Sequence, residues 1–280
     1  MVDTKNTVKL QNGKNMPIFG LGTSQVSKHE ARSAVRAALD AGYQQIDTAY
    51  NYLNEDAIGE VLQEYIKGGK VKREDLFIVT KLPMIHMDPK LVKRSIEMSL
   101  KNLQLQYVDL YLVHLPIPLA YDGNDENVFP TEASGALKVA DKTDLIGTWK
   151  AVEELVDLGL TKSIGVSNFS ISQLERICEI AKYKPVVNQV ECNIYLQQKE
   201  MFDACKTLGI TITAYAPLGS PGRNDLMKEQ GESEGLEDPV IQRISHKYGK
   251  TPAQILLRFL IQKGTTVIPK SVNPERIRAR

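Results

Sequence analysis

Cysteine, tryptophan and net charge are all scarce in this chain. Only three cysteines occur, Cys178, Cys192 and Cys205. An odd number with no C-x-x-C excludes a disulfide framework and points to free thiols in a reducing, cytoplasmic setting. The formal charge is 35 − 34 = +1, with both signs interspersed, so nucleic acid is not expected as a partner. No apolar run approaches the roughly 18 residues of a membrane span. Residues 1–6 lack an apolar h-region, so no secretory signal is expected either. The four histidines, His29, His86, His114 and His246, are scattered, and no metal site is expected from them. The three-glycine dinucleotide fingerprint is also missing. Gly20-Leu21-Gly22-Thr23-Ser24-Gln25 has Gln25 where the third glycine belongs.

What is present reads as an ordinary globular chain, 42% hydrophobic and 25% charged. Asn12-Gly13, between the strand-like stretches 7–10 and 16–19, predicts a hairpin with a type I′ turn. Strand and helix signals then alternate. Strands are expected at 20–23, 45–49, 76–82, 108–115, 163–167, 185–191, 211–216 and 266–269. Helices are expected at 55–66, 89–103, 143–158, 171–181, 199–208, 239–248 and 252–263. A further helix opens at Ser27, whose Glu30 completes a capping box, and another begins at Asn273-Pro274. The strands are apolar without strict alternation, as buried parallel strands are. With 280 residues, eight units average 35 residues each, enough for a strand, a helix and two loops. A single (β/α)8 barrel spanning 1–280, with an N-terminal hairpin, is the expected fold, and a doubly wound open sheet is the alternative. Long loops at 116–142 and 217–237 follow strand C-terminal ends, where barrel active sites lie.

Four polar residues fall at successive strand ends: Asp47, Tyr52, Lys81 and His114. Buried ionisable groups on adjacent strands, about 5 Å apart, are costly unless they pair. A free tyrosine is a poor acid at neutral pH, and a neighbouring ammonium lowers its pKa. Asp47 would hold Lys81 charged, Lys81 would acidify Tyr52, and His114 would donate to a substrate oxygen. Such a set suits proton donation to a carbonyl oxygen gaining charge. The hydride must come from a cofactor. Its phosphates have two candidate cradles: the Gly-rich stretch 217–222 after the seventh strand and 270–276 after the eighth.

At these residues the chain resembles the aldo-keto reductase family, over essentially its whole length. Asp47-Thr48-Ala49-Tyr50-Asn51-Tyr52-Leu53-Asn54-Glu55 with Gly59, Gly165-Val166-Ser167-Asn168-Phe169, and Ile268-Pro269-Lys270-Ser271 match three family motifs in order. The resemblance implies NADPH-dependent reduction of aldehydes or ketones by a cytoplasmic, monomeric enzyme. Tyr52 would be the acid, aided by Lys81 and Asp47, with His114 orienting the carbonyl. Ser167, Asn168 and Gln189 would bind the nicotinamide carboxamide and Tyr215 would stack on its ring. Thr23 and Asp47 would also touch the cofactor, and Leu218 and Ser220 would line its pyrophosphate. Lys270, Ser271, Val272 and Arg276 would hold the adenosine end, the cations choosing NADP(H) over NAD(H) through its 2′-phosphate. Ser24, Pro83, Leu115 and a residue near Asp225 stand where relatives carry pocket tryptophans; Trp149, the one tryptophan, falls on an expected outer helix. The chain stops at Arg276-Ile277-Arg278-Ala279-Arg280, so the final outer helix and the C-terminal pocket loop are expected to be missing or shortened. Two other readings stay open: a non-catalytic NADP(H)-binding barrel, and a metal-dependent barrel hydrolase or isomerase.

Overall fold

The computed structural model describes residues 7–142, 144–220 and 235–279. Eight parallel strands form one sheet: β3 (Gly20–Gly22), β4 (Gln45–Asp47), β5 (Phe77–Leu82), β6 (Leu110–Val113), β7 (Ile164–Ser167), β8 (Val187–Glu191), β9 (Thr211–Tyr215) and β10 (Thr266–Val267). They pair in chain order. The last returns to the first through parallel bridges Phe19↔Val267 and Gly22↔Lys270, so the sheet curls into a barrel. Gly22 is required at this seam, because a Cβ there would lie 2.7 Å from the Ile268 carbonyl oxygen.

The outer layer is α1 (Lys28–Asp40), α2 (Glu55–Lys67), α3 (Pro89–Leu103), α4 (Leu145–Asp157), α5 (Ile171–Ile180), α6 (Lys199–Leu208), α7 (Pro239–Tyr248), α8 (Pro252–Gln262) and α9 (Pro274–Ala279). Their starts are chemically specified. Ser27, Ser170 and Thr251 each form a full capping box, and Asp88, Asp144 and Asp238 cap with a side-chain oxygen. Buried aliphatic faces of the helices pack on the outward side chains of the strands, and Trp149 of α4 is fully enclosed among them. Three ion pairs, Lys28–Asp56, Arg32–Glu60 and Arg36–Glu64, run between α1 and α2. They are exposed, so they register the two helices rather than anchor them.

The barrel fold is as the sequence predicts, with local corrections. The hairpin pairs β1 (Thr7–Lys9) with β2 (Asn15–Pro17), but its turn is not type I′, which needs positive φ at both central residues. Only Gly13 has it, at 81°. Leu10 accepts from the Gly13 amide, and the Asn12 side chain takes the Lys14 amide instead. This is a tight turn followed by a left-handed glycine, a bulged hairpin. β6 is shorter than expected, so His114 sits one residue past its end, whereas β5 continues one residue beyond Lys81. α4 starts at Leu145, after its Asp144 cap, and β10 stops at Val267. The hairpin closes the barrel floor. Leu10 and Met16 pack with Phe77, Val79, Leu110, Leu112, Val186 and Val187. Among the described residues, no helix is long and apolar enough to cross a membrane.

Candidate active site

Side chains two apart on a strand share a face, so Asp47, Lys81 and Gln189 all point into the barrel from strands whose outward residues meet the helices. Lys81 and Asp47 are 0% and 2% exposed. The Lys81 ammonium donates to Asp47 Oδ1 at 2.5 Å and to the Thr48 carbonyl at 2.8 Å. Burial pushes the Lys81 pKa down, but the Asp47 carboxylate and the Tyr52 phenol together more than offset this and hold it above its ordinary value. Lys81 is therefore a resident cation.

Tyr52 lies on a short helical turn, Tyr50–Tyr52, that follows β4. Leu53 ends the turn in the left-handed region, at φ 53°. Asn54 then ties it to the β3 side, donating to the Thr23 and Val26 carbonyls while accepting from Thr48. The Lys81 Nζ stands 5.2 Å from the Tyr52 ring centroid, and both Lys81 and Ser24 act to lower the pKa of the phenol. Lys81 lowers the Tyr52 pKa, as expected, but it does not set the net shift. Burial raises the Tyr52 pKa more than Lys81 lowers it. The phenol therefore keeps its proton at neutral pH, the state a proton donor needs.

The His114 ring packs edge-on to Tyr52, with centroids 5.6 Å apart. The side chain is half-buried rather than enclosed. Burial and the Lys81 charge lower its pKa to about 3, so the imidazole is neutral. Its Nδ1 is enclosed and has no hydrogen-bond partner among the described residues.

The opposite rim carries a connected polar set. Ser167 Oγ donates to the Gln189 carbonyl, Asn168 Nδ2 donates to Ser167 Oγ and to the His114 carbonyl, and the Tyr215 hydroxyl donates to Asn168 Oδ1. Asn168 holds a positive φ of 62°, which brings its amide over the rim. Gln189, expected to join Ser167 and Asn168 in holding a carboxamide, lies beside them and sends Nε2 to Asp47 Oδ2 at 2.7 Å. Thr23 Oγ1 donates to the Asp47 carbonyl.

The other expected residues spread along the same face. Pro83 is buried, and Leu115 packs half-buried on Tyr50, Met84, Ile85, Leu119 and Val128. Leu218 and Val272 are half-buried against the outer core. Ala216, Gly219 and Ser220 all have positive φ, making an irregular turn after β9. Ser271 is buried and caps the Asn273 amide, whereas Lys270 and Arg276 are exposed cations. The expected pocket residue near Asp225 lies outside the described residues.

Sequence reading missed a latch on the long loop after β6. Asp125 accepts from Tyr121 at 2.8 Å and from both terminal nitrogens of Arg94, and it contacts His86 Nε2 at 3.0 Å. The Tyr50 hydroxyl donates to its backbone carbonyl. This fastens the loop to the Tyr52 turn and to α3. Burial raises the Asp125 pKa, but bonds from Tyr121, Arg94 and His86 bring it below its ordinary value. No local pattern marks these partners, which are 4 to 75 residues from Asp125.

The set fits a nicotinamide nucleotide. Amide and hydroxyl groups crowd one side of the proton-donor cluster, a ring stands at Tyr215, and cations wait at the start of α9. A profile of the Aldo/keto reductase family matches residues 16–280. Aldo-keto reductase family 1 member C21 of Rattus norvegicus is 45% identical over 97% of this chain and 85% of its own length. Prostaglandin F synthase 1 of Bos taurus is 44% identical over 97% and 84%. The solved aldose reductase of Schistosoma japonicum superposes with a TM-score of 0.90, at 40% identity, over 98% of this chain and 85% of that one.

Proposed function

This chain belongs to the aldo/keto reductase family and is an oxidoreductase of carbonyl groups, and we propose that it reduces aldehydes and ketones with NADP(H), using Tyr52 as proton donor. The observation that carries the proposal is the buried Asp47–Lys81 pair packed against Tyr52. In reduction the Tyr52 O–H bond breaks as the carbonyl oxygen gains charge, and the proton moves to that oxygen. Lys81 stabilises the phenolate left behind, and Asp47 keeps Lys81 charged and aimed. Neutral His114 offers a ring N–H to the same oxygen and orients it.

The bound cofactor supplies the hydride. Ser167, Asn168 and Gln189 would hold its carboxamide and Tyr215 its ring. Thr23, Asp47, Leu218 and Ser220 would line its middle. Lys270, Ser271, Val272 and Arg276 would hold the adenosine end, the two cations favouring a 2′-phosphate. Ser24, Pro83 and Leu115 would border the substrate. We read residues 1–280 as one barrel domain working as a cytoplasmic monomer, with all three cysteines free.

The test is NADPH oxidation followed at its absorbance band with a panel of aldehydes and ketones, repeated with NADH. Turnover with a clear preference for NADPH is expected. Bound NADPH with no turnover of any carbonyl would overturn the reading in favour of a binding protein.

A further inference from the structure

Gln189 does something its place among the carboxamide ligands does not require. β8 and β4 stand four places apart in a ring of eight strands, so they face each other across the barrel. The Gln189 side chain crosses that interior to Asp47 Oδ2, 2.7 Å away. Its backbone carbonyl is meanwhile pinned by Ser167 Oγ and the Asn168 amide. Gln189 is 3% exposed, so the bond forms out of water and its geometry counts.

The chemistry also fixes the amide's orientation. Asp47 accepts from Lys81 at Oδ1 and must therefore meet a donor at Oδ2, which turns Nε2 toward it. Gln189 Oε1 takes no hydrogen bond among the described residues. The acceptor end of the amide is left for a group that donates, as a carboxamide NH2 does.

We propose that Gln189 is a positioning residue of the proton-transfer chain, holding Asp47 so that one carboxylate oxygen serves Lys81 and linking the cofactor side of the rim to the acidity of Tyr52. The inference rests on the proposed function. Its logic is electrostatic: donation from Nε2 disperses the Asp47 charge. Without it the carboxylate draws more on Lys81, and Lys81 stabilises the Tyr52 phenolate less. Removing the donor therefore makes Tyr52 harder to ionise.

The experiment compares the parent with Gln189→Leu, and with Gln189→Met should the leucine variant fail to fold. Tyrosine is labelled with 13C at Cζ, the Tyr52 resonance is assigned with Tyr52→Phe, and the alkaline titration is followed without cofactor. An upward shift of about half a pH unit or more is expected, together with a larger solvent deuterium isotope effect on carbonyl reduction. A Tyr52 titration and isotope effect unchanged from the parent, with only NADPH affinity reduced, would overturn the proposal and leave Gln189 a carboxamide ligand alone. Absence of turnover in the parent would instead sink the proposed function, and the titration would still judge Gln189.

Discussion

The two ends of the barrel interior are built from opposite materials. The floor is apolar: Leu10 and Met16 from the hairpin fill it against Phe77, Val79, Leu110, Leu112 and Val187. The mouth is polar: Asp47, Lys81, Gln189, Ser167 and Asn168 share one hydrogen-bonded set. The same strands supply both, since Val79 lies two residues before Lys81 and Val187 two before Gln189. A dry floor leaves the mouth group only one open side, and its low polarity strengthens each interaction above it. Stability and chemistry are thus separated by about one strand layer, and substitutions at the two ends should separate them too.

The largest effect is expected at Lys81. Lys81→Met removes the cation that stabilises the Tyr52 phenolate and leaves Asp47 with only Gln189. Activity should fall roughly 10²–10⁴-fold, the usual worth of a positioned proton donor. Stripping one partner from a buried pair should also cost about 3–5 kcal/mol. Steady-state kinetics and urea unfolding measure the two. A variant that unfolds normally with near-parent kcat would show that the mouth is structural rather than chemical.

At the floor the expectation inverts. Met16 is 1% exposed, and Met16→Ala should cost about 2–5 kcal/mol through lost burial and a cavity. Residual folded enzyme should keep its kcat. If the kcat of Met16→Ala falls as far as that of Lys81→Met, the floor is setting the geometry of the mouth and the separation fails.

These two ends were unequally legible in the sequence. The alternation of eight apolar runs with capped helices sufficed for the barrel, because buried parallel strands and helix starts each have a local signature. Asp47, Lys81 and His114 were findable because charged or polar residues closing apolar strands are conspicuous. The sense of the Tyr52 shift was not, since it depends on how deeply the phenol is enclosed. Nor was the Gln189–Asp47 bond, which spans 142 residues and the width of the barrel. The Asn12-Gly13 turn misled for a different reason. The Asn12 side chain is occupied by the Lys14 amide, and no dipeptide rule records that competition.

The smallest effect concerns His114, and it sharpens the contrast by pH. Its pKa is held at about 3 by burial and by Lys81, against an ordinary value near 6.5. The unfolded chain therefore takes up a proton at His114 that the folded chain refuses. Stability from this group is complete above about pH 6.5 and is lost as the pH falls toward 3. Partial exposure of the ring discounts the loss to on the order of 1 kcal/mol at pH 5. His86, whose pKa burial also lowers despite Asp125, adds to the same acid sensitivity from the loop latch. Urea midpoints of the parent and His114→Gln, taken at pH 7 and pH 5, isolate the mouth's share. The parent should lose more stability between the two pH values than the variant, whereas Met16→Ala should lose as much as the parent. Equal losses for the parent and His114→Gln would mean that the imidazole is more open to water than its packing on Tyr52 implies.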